Sequence, residues 1–246
     1  VSNNRSPTTV SMYLRSLRAI FNNAIAEKDI ELELYPFGKR KYTIPRYQGV
    51  KKALDKTKLK SLFEAVPKTA EQEKARDFWF FSYFCSGINI KDIALLRFED
   101  MKNETITFIR SKTKKTSKSH MKVVNIPINQ KAKDILIKYS NTSKLPNDYI
   151  FSIVNSTDSE KIKFVKIKNF TRFINQNLKK LAIDNGITHE ISTYWARHSF
   201  ASVAIKSGKS MEFVGDAFGH GDKKTTQNYF SGFDDESKRE FSDQLM

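Results

Sequence analysis

Two short runs rich in β-branched and aromatic residues, 105–109 and 123–128, are the only β-like segments in a chain of 246 residues otherwise patterned in helical periods. One strand pair can close a hairpin but cannot build a sandwich or a barrel. The chain is thereby confined to a mainly α fold with a small antiparallel β-sheet. The segment joining the two runs is basic and turn-like, so a long loop is expected at 113–120. Apolar periodicity predicts helices at 8–28, 57–66, 70–85, 90–97, 130–139, 162–181, 193–206 and 211–218, and a short turn or helix at 225–230. In the first helix Val10, Leu14, Leu17, Phe21, Ala24 and Ile25 recur at three- and four-residue steps, with Arg15 and Arg18 on the flank of that stripe. Pro36, Gly38 and Pro45 then break the period. The polar, basic stretch that follows has no periodicity and reads as a linker. The expected organisation is a partial helical domain at 1–45, a linker at 46–53 and a second domain at 54–246.

Charge narrows the function. The chain carries 43 Lys and Arg against 27 Asp and Glu, a net charge of +16. Residues 105–133 include no acidic side chain and eight basic ones, and residues 161–183 include none and seven. Such windows lower the cost of approaching a polyanion and release counterions when they meet phosphates. A nucleic acid is the expected partner, since no compact polybasic stretch sits beside an amphipathic membrane anchor. The sole cysteine, Cys85, excludes a disulfide scaffold and points to a reducing compartment. One Cys and four His without an HExxH or CxxC pattern give no zinc signature, and neither a metal nor a cofactor is expected. No apolar run approaches the roughly 20 residues of a membrane span, and the first 18 residues do not resemble a signal peptide. The chain opens on Val1 rather than Met, as expected of a fragment or a processed chain.

Three segments carry residue types that converge on one phosphate: Arg110-Ser111-Lys112-Thr113, Tyr194-Trp195-Ala196-Arg197-His198-Ser199, and Gly219-His220 followed nine residues on by Tyr229. Each alone is a weak signal. In this order they resemble the tyrosine recombinase, or phage integrase, family. That family's pattern is His-x-x-Arg-His-Thr/Ser, then Leu-Gly-His, then a nucleophilic Tyr nine residues later. Ser86-Gly87-Ile88-Asn89-Ile90-Lys91-Asp92-Ile93 resembles the family's Thr-Gly-Leu-Arg-x-x-Glu-Leu box, and Lys112-Thr113 its hairpin Lys-Thr. The likeness covers about 54–230. The helix around Tyr13–Arg18 and Tyr35-Pro36-Phe37-Gly38 resemble the core-binding domain of integrases from Bacteroides-type mobile elements. That resemblance implies a core-binding (SAM-like) domain at 1–45 and a catalytic domain at 54–246. It also implies double-stranded DNA as the partner and a bacterial cytoplasmic, nucleoid-associated enzyme that forms a tetramer on two DNA sites, with further domains before Val1.

The implied activity is site-specific recombination through a 3′-phosphotyrosyl intermediate on Tyr229. A free phenol, with a pKa of about 10, is a poor nucleophile at neutral pH, and neighbouring cations ease its ionisation. Arg197 can clamp the non-bridging oxygens, His220 can donate to them, and Lys112 can protonate the leaving 5′-oxygen. The sequence departs from the family twice: Asn89 stands where the first Arg is found and Tyr194 where the His of His-x-x-Arg is found. Arg110, two residues before Lys112, is expected on the same strand face and so able to supply the charge missing at Asn89. Lys114, Lys115, Lys118, Lys168 and Arg172, with Arg15 and Arg18, are the candidate DNA contacts. His198 reads as structural, His120 and His189 as solvated, and Trp195, Phe200 and Cys85 as core. The acidic tail 231–246 could dock through Phe233, Phe241 and Leu245. Two other readings remain open at this point: a DNA-binding protein that has lost its chemistry, and a type IB topoisomerase-like enzyme.

Overall fold

The computed structural model describes residues 5–38, 40–45, 52–112, 122–220, 223–227, 229–230, 232–233, 235–243 and 245. The expected hairpin loop, most of the linker, and Lys114, Lys115, Lys118 and His120 lie outside them. The chain divides into two compact units, Val1–Val50 and Lys51–Met246.

The first unit is built on α1 (Pro7–Ala26). Ser6 caps it by accepting from the Thr9 amide at 3.2 Å, and Pro7 opens the first turn, where its missing N–H costs nothing. Phe21 meets Tyr35 and Phe37 edge-on, at ring distances of 6.4 and 6.1 Å, and Phe37 meets Tyr42 at 6.3 Å. This aromatic cluster holds the irregular segment after α1. Arg15 and Arg18 are exposed on the helix, and so is Leu17, which periodicity had assigned to the apolar stripe.

The second unit runs α2 (Lys56–Glu64), α3 (Ala70–Phe84), α4 (Ile90–Leu95), β1 (Met101–Lys102), β2 (Thr105–Ile109), β3 (Val123–Pro127), α5 (Gln130–Tyr139), α6 (Glu160–Asp184), α7 (Thr193–Lys206), α8 (Met211–Ala217), α9 (Lys223–Gln227) and α10 (Asp235–Asp243). Both expected strands form. They carry a two-residue partner, β1, giving an antiparallel sheet in the order β1-β2-β3. Ile106 pairs with Ile126 and Phe108 with Val124. Ile106, Val124 and Ile126 are buried, so the period-two pattern turns one sheet face to the core.

Helix α3 is the hub and packs against α5, α6 and α7. Its Phe78, Trp79 and Phe81 are fully buried. The Trp79 ring N–H donates to the Ser192 carbonyl at 2.9 Å, and Asn175 of α6 accepts from the Thr193 amide at 2.8 Å. These two bonds fix where α7 begins. The helix is lined with small residues, Ala196, Ser199, Ala201, Ser202 and Ala204, all buried, which lets its neighbours close around it. Among the described residues, no helix is long and apolar enough to cross a membrane.

Candidate active site

Arg197 sits in the second turn of α7 and is 3% exposed. Its Nη1 donates to the Gly87 carbonyl at 2.9 Å and its Nη2 to the Phe218 carbonyl at 3.0 Å. The guanidinium lies 3.6 Å from the Phe218 ring centre and 5.3 Å from that of Tyr229. Carbonyls and ring faces orient it, and none of these partners neutralises its charge. Burial, together with the charge of Arg110, lowers its pKa to about 10. Such a site is short of negative charge, which an anion would supply.

A cavity of about 400 Å³ opens beside it, and Arg197, Tyr229, Arg110, Lys112, Asn89 and Tyr194 all line its wall. Tyr229 reaches this cavity from its own chain, just after α9. Its amide donates to the Thr226 carbonyl at 2.9 Å, and its carbonyl lies 3.3 Å from His198 Nδ1. His198 therefore contacts the Tyr229 backbone, consistent with a structural part. Tyr194 donates its hydroxyl to the Tyr229 hydroxyl oxygen at 3.2 Å. Burial and the contact with Tyr229 raise the Tyr194 pKa, so it stays protonated as a donor.

Arg110 reaches the cavity, but not by strand alternation as expected. β2 ends at Ile109, and Ser111 and Lys112 form a turn. Asp92, buried at the start of α4, accepts from the Ser111 amide at 2.9 Å and its hydroxyl at 2.7 Å. Those two hydrogen bonds pin the turn, with Arg110 buried and Lys112 exposed. Sequence reasoning gave Asp92 no role, although it lies three residues after Asn89 inside a box already singled out. Asn89 is the N-cap of α4 by backbone geometry, yet its side chain makes no capping bond.

Two glycines make room for the two arginines. Gly87 has φ +67°, and a Cβ there would come within 2.8 Å of the Arg197 Cα. Gly219 has φ +62°, and a Cβ there would meet Val124 Cγ2 at 2.6 Å and Arg110 Cδ at 3.2 Å. Only glycine satisfies both the left-handed backbone and the close approach.

His220 follows Gly219 and is buried. Its Nε2 lies 3.2 Å from Arg197 Nη2 and its Nδ1 2.9 Å from Thr226 Oγ1. Burial, then the charges of Arg197, Arg110, Lys122 and Lys112, lower its pKa to about 3. In the unfolded chain a histidine takes up a proton at about pH 6.5. Protonation between those values favours the unfolded state, so stability should fall as pH drops from about 6.5 toward 3. His220→Gln should flatten that limb in denaturant titrations taken from about pH 6.5 to about pH 4. An unchanged limb would assign the acid sensitivity to other groups, His189 and His198 among them, whose pKa values burial also lowers.

The remaining candidates are spread more widely. Lys168 and Arg172 are exposed on α6, whose Thr171 lines the cavity. Arg15 and Arg18 belong to the first unit. His189, expected to be solvated, is half-buried with its Nε2 enclosed, because the loop before α7 folds back on the domain. Trp195 and Phe200 pack on the core, and Cys85 is buried, its thiol pKa pushed up by burial. In the tail, α10 forms, but Phe233, Phe241 and Leu245 are exposed.

On a mainly helical domain, a buried arginine and a tyrosine line one cavity, and a buried histidine lies against that arginine. The chain belongs to the phage integrase family, whose sequence profile matches residues 52–236. It is 27% identical over 239 residues to tyrosine recombinase XerC of Thermodesulfovibrio yellowstonii, covering 92% of this chain and 71% of that protein. It is 24% identical over 232 residues to tyrosine recombinase XerD of Listeria monocytogenes, covering 92% and 72%. Among solved structures, the Tn1549 transposon integrase in complex with a circular intermediate DNA superposes with a TM-score of 0.66 at 15% identity, over 98% of this chain and 80% of that one. A lambda integrase dimer bound to a core site gives 0.62 at 13% identity, over 91% and 73%. At those identities the structural likeness speaks for the fold.

Proposed function

We propose that this chain is a site-specific DNA recombinase that cuts and rejoins strands through Tyr229. The observation that carries the reading is the lining of one cavity by Tyr229, Arg197, Arg110 and Lys112. Attack by the Tyr229 oxygen on a DNA phosphodiester releases the phenol proton to water and places negative charge on the non-bridging oxygens. Arg197 and Arg110 offset that charge, and their planar forks match two oxygens at once. Lys112, exposed at the cavity mouth, gives its proton to the 5′-oxygen as the phosphorus–oxygen bond breaks. The products are a 3′-phosphotyrosyl strand and a free 5′-hydroxyl. A 5′-hydroxyl from another strand reverses the step, and the phosphotyrosyl bond keeps the energy for it.

The covalent intermediate is the test. The protein would be incubated with a library of nicked half-site duplexes, and DNA attached through SDS would be sequenced. Recovery of a defined sequence supports a recombinase with a target site. Attachment without sequence preference favours the topoisomerase-like reading, and tight binding with no attachment favours the non-catalytic one.

DNA is the partner this family membership supports. Arg15 and Arg18 on α1, Lys168 and Arg172 on α6, and Lys114, Lys115 and Lys118 in the hairpin loop are the proposed backbone contacts. Residues 1–45 are read as part of a core-binding domain joined through 46–53 to the catalytic domain at 54–246. The working form is proposed to be a tetramer on two DNA sites, acting in the bacterial cytoplasm. With net charge +16, binding should be steeply salt-dependent. Log affinity is expected to fall against log salt with a slope of about −0.9 for each phosphate neutralised. A slope near zero would remove DNA as the main partner.

A further inference from the structure

His220 cannot serve Arg197 and a phosphate with the same face of its ring. Arginine carries only donors, so the 3.2 Å contact from Arg197 Nη2 makes His220 Nε2 an acceptor. A neutral imidazole has one N–H, which must then be on Nδ1. Nδ1 faces Thr226 Oγ1 at 2.9 Å, so in the free protein the threonine hydroxyl accepts. A phosphate oxygen offers only lone pairs. For His220 to bond it, the proton must be on Nε2, and Nδ1 becomes a lone pair that needs a donor.

We infer that Thr226 is a positioning residue that lets His220 exchange tautomers between the free and the phosphate-bound site. This rests on the recombinase reading above. A hydroxyl is both donor and acceptor, so one oxygen can serve either tautomer without moving. The proton on Nδ1 passes to Oγ1 and remains there as the donating hydroxyl. The original hydroxyl proton leaves to water, and water supplies the proton at Nε2, so the ring stays neutral. Arg197 is released to the phosphate in the same exchange.

Three features hold the hydroxyl in place. Thr226 is 1% exposed. A Cβ at Gly215 would lie 3.2 Å from Oγ1, so the missing side chain there spares the hydroxyl a tight contact. The Gly215 carbonyl accepts the His220 amide at 2.9 Å, so one turn of α8 sets both partners. Thr226 also carries the carbonyl that accepts from the Tyr229 amide, which links the tautomer partner to the nucleophile by three residues of chain. Sequence reasoning missed Thr226 because α9 is too short to show a period.

Imidazole nitrogen correlation spectra of protein labelled with nitrogen-15 at histidine, assigned with His220→Gln, test the first half. The free protein is expected to show Nδ1–H, and Nε2–H would overturn the inference. The same spectrum of Tyr229→Phe bound to the half-site duplex recovered from the library should show a neutral ring with Nε2–H. A doubly protonated ring there, or an unchanged Nδ1–H, would also overturn it. In covalent trapping, Thr226→Ser should stay within about threefold of wild type, whereas Thr226→Val should lose about 10-fold or more, with DNA retention unchanged. Wild-type trapping by Thr226→Val, or an equal loss in Thr226→Ser, would refute the role. If the wild-type protein traps no DNA, the recombinase reading fails, while the free-protein spectrum still decides the tautomer.

Discussion

Tyr229→Phe is expected to retain DNA as the wild type does and to form no adduct that survives SDS. The substitution removes one oxygen and leaves the ring, which packs against His198, Phe218 and His220 at centroid distances of 4.8, 5.1 and 5.3 Å. The site should therefore keep its shape and lose only the proposed nucleophile. Tyr194 makes the control necessary. Its hydroxyl lies 3.2 Å from that of Tyr229, and with the Tyr229 oxygen gone it is the one phenol left in the cavity lining among the described residues. An adduct that persists in Tyr229→Phe and vanishes in the double variant with Tyr194→Phe would transfer the nucleophile to Tyr194.

The second large effect is expected at Arg110. Asn89 is neutral, so a phosphate in this cavity meets two guanidinium groups only if Arg110 takes part. Arg110→Ala should lower single-turnover cleavage by roughly 100-fold, the scale of losing one preorganised donor, with little change in binding. Asn89 lines the same cavity, so Asn89→Arg should restore part of the rate in the Arg110→Ala background. A uniform loss of affinity with cleavage intact would instead make Arg110 a contact to a flanking phosphate.

The parts legible in sequence were those governed by local rules. Residues 105–109, 130–139 and 193–206 form their elements with the expected bounds, because period and capping act within a few residues. The Arg-His-Ser, Gly-His and Tyr spacing located Arg197, His220 and Tyr229, and these three do meet. What escaped depends on contacts far apart in the chain. β1 is two residues long and exists only because β2 lies beside it. The placement of Arg110 was anticipated, but for the wrong physical reason. A carboxylate 19 residues away pins its turn, and no strand period operates there. Thr226 and Asp92 had ordinary local surroundings and acquire meaning only from their partners.

The two glycines bear on how a substitution scan of this site would be read. Gly87 and Gly219 have no side chain to touch a substrate, yet exchanging either forces an arginine or a β3 valine aside. Scored by activity alone, both would rank with the reacting residues. Thermal midpoint separates the two kinds of defect. Loss of Tyr229 or Arg110 function should spare the fold, whereas Gly87→Ala must strain a left-handed backbone and displace the backbone of α7 itself. In this domain, the placement of the two charges is encoded as much by two missing side chains as by the arginines.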